Sequence, residues 1–168
     1  MSAGSAQLTF AEMLEFNRRE TAKWQQWFER QPAEVLDLRL NIALANNVRE
    51  MLLHIVAVEL RYAERLNELE VTPYEAHSTG SVGELFAIGS KAHALYSDYL
   101  TRASDVDLAV VLEFPTRTSG LLRSSKRKMF AHAMLHSVRH WAQLATALRE
   151  QGHGTDWPHD FVFSDLME

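Results

Sequence analysis

Cysteine is absent from all 168 residues, which excludes a disulfide scaffold, a thiolate metal site and a cysteine nucleophile together. Any metal ion the chain holds must rest on nitrogen or oxygen. Also lacking is an uninterrupted apolar run near the ~20 residues that cross a bilayer as a helix. Met1, Ser2, Ala3, Gly4 and Ser5 offer neither the basic start nor the apolar stretch of a secretion signal. These absences lead to the expectation of a soluble, cytoplasmic protein without a membrane partner.

Positive charge is in short supply. The net charge is −5 with histidine neutral, which opposes general attraction to phosphate backbones. The one basic cluster, Arg123, Lys126, Arg127 and Lys128, has no interleaved aromatics and reads as a solvated helix start. No nucleic-acid partner is expected. Internal repeats, low-complexity tracts and interdomain linkers are missing too, and 46% hydrophobic residues suffice to bury a core without cross-links. We therefore expect one domain over residues 1–168.

Familiar catalytic signatures are missing as well. No G-x-S-x-G elbow supports a serine nucleophile. No Glu-x-x-His motif of carboxylate-bridged di-iron bundles occurs, and Ser137, Val138 and Arg139 stand where H-E-x-x-H would need its glutamate.

What is present is helical periodicity. Thr9 with Glu12 forms a capping-box pattern, and Phe10, Leu14, Asn17, Thr21, Trp24 and Phe28 then recur at helical spacing. The spacing predicts a first helix from about Thr9 to Arg30, stopped by Pro32. A second begins near Asn46 and runs through Val48, Met51, Ile55, Val58, Tyr62, Leu66 and Leu69, until Thr72 and Pro73 end it. Ser81 with Glu84 repeats the capping box, and Leu85, Ile88, Ala92, Leu95, Tyr96 and Tyr99 carry a third helix to about Ala103. From Val106 to Leu122 the character changes: Val110, Val111 and Phe114 lead to Pro115, Thr116, Thr118, Ser119 and Gly120, either a short hairpin or an irregular crossover. A fourth helix starts at Ser124 or Ser125 and ends at Gly152. Trp157, Phe161 and Phe163 in the tail imply that it folds back onto the body. Trp24, Trp27 and Phe28 suggest an exposed aromatic surface on helix one, hence a homodimer. The fold class expected is all-α, a four-helix bundle.

Histidine is the feature that carries chemistry. His132, His136 and His140 follow one another at intervals of four, and an i, i+4 pair on a helix presents two imidazoles to one point. At ~100° per residue, His136 and His140 lie about 60° and 100° from Arg139, on the border between core and polar faces. His132 lies only about 20° from Arg139 and is expected to be solvated or to act behind the ligands. A pair needs a further ligand, and His54, amid Met51, Ile55 and Val58 of another helix, is the candidate. Taken alone, it reads as a hydrogen-bonded core or boundary residue rather than a ligand, whereas the His136 and His140 pair reads as readily as a ligand pair as a chance spacing in a histidine-rich helix. Asn47, Arg61 and Arg65 fall within about 20° of His54 and Glu50 within about 40°. Three neutral imidazoles leave a divalent ion its charge and an open position, the pattern of catalytic zinc, which makes bound water or a thiol a better nucleophile. No residue is singled out as catalytic. Gln143, Glu50 and Asn47 are candidates to orient the ligands, and Arg61 and Arg65 to attract an anionic substrate.

The segments MLLHIVAVEL, with His54, Ile55 and Glu59, and HAMLHSVRHWAQL, with Gln143 and then Leu148, Arg149 and Gly152, resemble the DinB or YfiT-like family of bacterial four-helix bundles. Trp157, Pro158, His159, Asp160 and Phe161 resemble the family's closing Pro-x-Asp segment, while Trp141 and Ala142 stand where many relatives have Arg and Gly. The resemblance implies an up-down-down-up bundle, a metal site of His54, His136 and His140 at its open end, and often a homodimer. Related bundles include transferases and isomerases that use low-molecular-weight thiols. The resulting expectation is one divalent ion, zinc or nickel since imidazole suits both, in a transferase-like or hydrolase-like enzyme acting on an unidentified small molecule. The other expectation is a bundle that binds metal, small molecules or partners without catalysis.

Overall fold

Each long helix begins where a side chain takes over a backbone donor that the helix cannot satisfy. Residues 7–43, 45–116 and 120–166 are described by the computed structural model. Helix α1 (Phe10–Glu29) starts on the complete capping box of Thr9 and Glu12, and α3 (Val82–Arg102) on that of Ser81 and Glu84. Helix α2 (Val48–Leu66) is capped by Asn47, whose Oδ1 accepts the Glu50 N–H at 2.9 Å. Helix α5 (Lys126–Glu150) is capped by Ser125. At its far end Gly152, at φ 84°, takes the left-handed conformation that only glycine adopts without cost. The His153 N–H reaches Leu148 O at 2.9 Å and the Gly152 N–H reaches Arg149 O at 3.1 Å, the paired bonds of a Schellman cap.

A second Schellman cap corrects the expected end of helix two. Glu68 adopts φ 57°, and Leu69 N–H bonds Glu64 O at 2.9 Å, so α2 stops at Leu66 and leaves Leu69 exposed. The carboxylate of Glu68 accepts from Lys126 Nζ at 2.9 Å, a tertiary contact available only with the turn in this place. Lys126 also donates to Asp107 Oδ1 at 2.7 Å and is 2% exposed. The basic cluster is thus not solvated throughout: Arg123, Arg127 and Lys128 are exposed, while Lys126 is an ion-paired core residue.

Two small antiparallel hairpins interrupt the helices. The first, β1 (Arg39–Ile42) with β2 (Ala45–Asn47), corrects the expected all-α bundle, which allowed for a hairpin only between Val106 and Leu122. Leu38, Leu40 and Ile42 alternate with Arg39 and Asn41, a period of two that turns Leu40 inward. Beyond the short helix α4 (Asp105–Ala109), β3 (Val111–Pro115) pairs with β4 (Leu121–Ser125), so the crossover before α5 is a hairpin. Thr118 and Ser119, between the two strands in sequence, lie outside the described residues, as do Met1 to Ser5.

The long helices α1, α2, α3 and α5 pack together around two contiguous apolar clusters. In one, Trp24 of α1 stacks on Trp141 of α5 at 5.1 Å, with Phe28, Phe86 and Leu144 around them. In the other, Phe130 of α5 meets Tyr96 at 5.0 Å and Phe10 at 4.6 Å. Trp24, Trp27 and Phe28 are all buried. The exposed aromatic surface expected on helix one is not there, because the chain covers it with α5 and its own tail. No helix among the described residues is long and apolar enough to cross a membrane.

The tail returns to α1 through a buried carboxylate. Trp157 Nε1–H donates to both oxygens of Glu20, at 3.1 and 3.2 Å, and His159 Nδ1–H donates to the same group. His159 stacks on Trp24 at 5.3 Å and Phe161 meets Phe16 at 5.0 Å, while Phe163 stays exposed. Trp157→Ala removes both the packing and the Glu20 bond. It should destabilise the protein by about 2–3 kcal/mol, less than loss of a fully enclosed Trp. Urea unfolding followed by far-UV circular dichroism reads this, and an unchanged midpoint would mean that the tail is not docked.

Candidate metal centre

His54 is buried on α2, beside the buried Met51 and Ile55, and its ring approaches the two α5 histidines. Two positions four apart on α5 place His136 and His140 one turn from each other. The ring centroids stand 4.9 Å (His54–His136), 4.7 Å (His54–His140) and 4.3 Å (His136–His140) apart. One ring nitrogen from each lies within 4.8 Å of the other two. Bonds of ~2.0–2.1 Å from imidazole to an ion close that triangle with side-chain shifts of about an ångström. His54 and His140 are buried and His136 half-buried. His132, exposed at the cavity wall, touches Tyr62 at 5.3 Å and stays outside the triangle.

Two features fit these rings to a divalent cation. His140 Nδ1 lies 2.7 Å from Gln143 Oε1; an amide oxygen only accepts, so Nδ1 carries the proton and Nε2 keeps its lone pair. His136 Nδ1 is enclosed and has no hydrogen-bond partner among the described residues. The two α5 imidazoles of the triangle are also held uncharged. Burial first, then the neighbouring His140 and His54, depress the His136 pKa far below the ordinary histidine value. Burial likewise lowers His140, against the opposing bond to Gln143, and lowers His132, assisted by Lys128. Neutral imidazole is the form that binds metal.

A cavity of about 340 Å³ opens beside the rings, walled by α2, α5 and the β3–β4 hairpin, with Ile42 of β1 at one edge. Gln143, Arg61 and Arg65 line it, as do Tyr62, Phe114 and Arg139, which the sequence did not single out. Asn47 and Glu50 do not line it. Asn47 caps α2, and the Glu50 carboxylate accepts from the Asn46 backbone at 2.8 Å and side chain at 2.9 Å, so both serve the helix start.

One buried contact behind the rings also escaped sequence reasoning. The Ser137 hydroxyl donates to the fully buried Glu59 carboxylate, whose other oxygen lies 3.4 Å from His93 Nε2 of α3. A glutamate on the apolar stripe of helix two and a serine beside His136 were the available signals. Neither position names its partner, because the two are 78 residues apart.

A sequence model of the DinB family matches residues 1–164. No curated protein matches the chain. Among solved structures, a DinB-like protein of Bacillus subtilis, YjoA, has a similar fold, with TM-score 0.62 and 16% identity over 87% of this chain and 94% of that one. At such low identity the likeness concerns the fold alone.

Depressed histidine pKa values make the metal-free protein pH-sensitive. Between the lowered folded values and the ~6.5 of free histidine, the unfolded chain binds more protons, so stability falls as pH drops through that region. Chelated protein should show a lower urea midpoint at pH about 5.5 than at about 7.5, with a smaller drop in His136→Gln. Equal drops in both proteins would mean that His136 does not contribute.

Proposed function

Because the chain belongs to the DinB family and three of its histidines converge, we propose that His54, His136 and His140 hold one divalent ion, zinc or nickel, in a metal-dependent enzyme. The observation that carries this reading is the convergence of three imidazoles from two helices, the His136 Nδ1 being enclosed and without a hydrogen-bond partner among the described residues. When bound, the ion supplies Lewis acidity toward an ionisable or anionic group of a small substrate. Gln143 fixes the His140 tautomer, and Val58, Tyr62 and Phe114 give the substrate side of the cavity an apolar wall.

The reaction we favour is thiol-dependent transfer or a hydrolysis, with a low-molecular-weight thiol as the transferase's co-substrate. Support comes from the open cavity beside the rings and from the family resemblance. The same resemblance underlies our reading of the chain as an up-down-down-up bundle that pairs as a homodimer, and its length, composition and N-terminal sequence underlie our reading of it as one cytoplasmic domain.

Protein purified without chelator should carry close to one equivalent of zinc or nickel by elemental analysis, or take it up on incubation. His132→Gln should keep that stoichiometry and His136→Gln should lower it; a metal-free wild type that gains none ends the proposal. Screening thiols with electrophilic acceptors on loaded protein separates enzyme from binding module, since bound metal without turnover favours the latter.

Added zinc should raise the melting temperature of wild type at neutral pH and raise it less at pH about 5.5, where protons compete for the ligands. Its effect on His140→Ala should be small. Equal rises in wild type and His140→Ala would refute the three-histidine assignment.

A further inference from the structure

The chain has 22 acidic residues, yet among the described residues none lines the cavity beside the three histidines, whereas Arg61, Arg65 and Arg139 do. Three arginines among the described residues are half-buried: Arg49, Arg61 and Arg65. Arg49 pairs with Asp37 at 2.9 Å. Neither Arg61 nor Arg65 forms an ion pair with any described carboxylate. Arg65 donates instead to two backbone carbonyls, of Arg61 and Pro115, both at 3.2 Å, and its guanidinium lies 4.8 Å from the Phe114 ring centroid.

A partly desolvated guanidinium without a counter-charge is costly, and two of them four residues apart on one helix repel. Burial first and then the nearby Arg61 oppose the charge on Arg65, and the weaker opposing influence of Tyr62 and Glu64 does not offset them. An anion supplied from outside removes both penalties. On α2 the arginines share a stripe with His54, seven and eleven residues further along, which is about 10 and 16 Å of helix. Tyr62, Phe114 and Leu122 provide apolar lining to the same cavity.

We propose that the cavity takes an elongated organic anion whose carboxylate or phosphate end is held by Arg61, with Arg65 and Arg139 adding charge. Its apolar middle lies against Tyr62 and Phe114, and its other end reaches the histidines. Only that far end rests on the metal reading above. The arginine subsite acts on the ligand's charge and stands without the ion.

The test is calorimetric titration of zinc-loaded and chelated protein with phenylpropanoate, phenylpropyl phosphate and the neutral phenylpropanamide. At least one of the two anions should bind roughly tenfold more tightly than the amide in both forms of the protein. The better of the two identifies the oxyanion. Arg61→Gln should abolish the preference and Arg61→Glu should reverse it, while zinc stoichiometry by competition with a chromophoric chelator stays unchanged in both. An amide that binds as well as the anions, no binding by any of the three, or a preference that survives Arg61→Gln overturns the proposal. Wild type that takes up no zinc but keeps the anion preference counts against the metal assignment and in favour of this one.

Discussion

The hydrogen bond from Ser137 to the buried Glu59 carboxylate sets α5 against α2, and the histidine triangle depends on that setting. Ser137 is the residue after His136, and Glu59 lies five residues beyond His54. A slip of one turn between the helices would separate the rings by about 5 Å, more than any imidazole rotation recovers. Glu59 also connects the third helix: His93 approaches its carboxylate, and Tyr96 O–H donates to its backbone oxygen at 2.9 Å. One polar residue thus ties α2, α3 and α5 together immediately behind the site. Apolar packing alone tolerates sliding, whereas a buried carboxylate deprived of its donor costs about 1–3 kcal/mol, which penalises every other register.

Charge is sorted by the same logic. Buried or partly buried acids are consumed by structural partners: Glu20 by Trp157 and His159, Glu64 by Thr72 and Lys91, Glu59 by Ser137, and Asp107 by Tyr99 and Lys126. The cavity is left with histidines and arginines inside a chain of net charge −5. An acidic exterior around an electropositive pocket discourages general binding to polyanions while concentrating attraction for a small anion at one place. His136 and His140 contribute no charge of their own, since burial keeps them neutral, and that neutrality prepares them to receive a cation.

Local features were legible in the sequence because they depend on residues a few positions apart. The capping boxes of Thr9 and Ser81, the chelating spacing of His136 and His140, the exclusion of His132 from the triangle and the bond between His140 and Gln143 all lie within one or two helical turns. Helical periodicity decides each of them before any tertiary contact forms. The DinB resemblance, which the family match over residues 1–164 bears out, strengthened the link from His54 to the pair that helix position had only suggested.

Tertiary structure decided what depends on residues far apart in the chain. Trp24 reads as a surface aromatic until Trp141 and the tail cover it, and Lys126 as a solvated cation until Glu68 and Asp107 enclose it. Helix α2 runs on to Leu69 by periodicity and stops at Leu66 because Glu68 turns toward Lys126. Arg61 and Arg65 needed the assembled cavity to be recognised as having no ion-pair partner among the described carboxylates. Burial and ion pairing are set by whichever distant segment arrives to cover a residue, and periodicity on a single helix cannot encode that segment's identity.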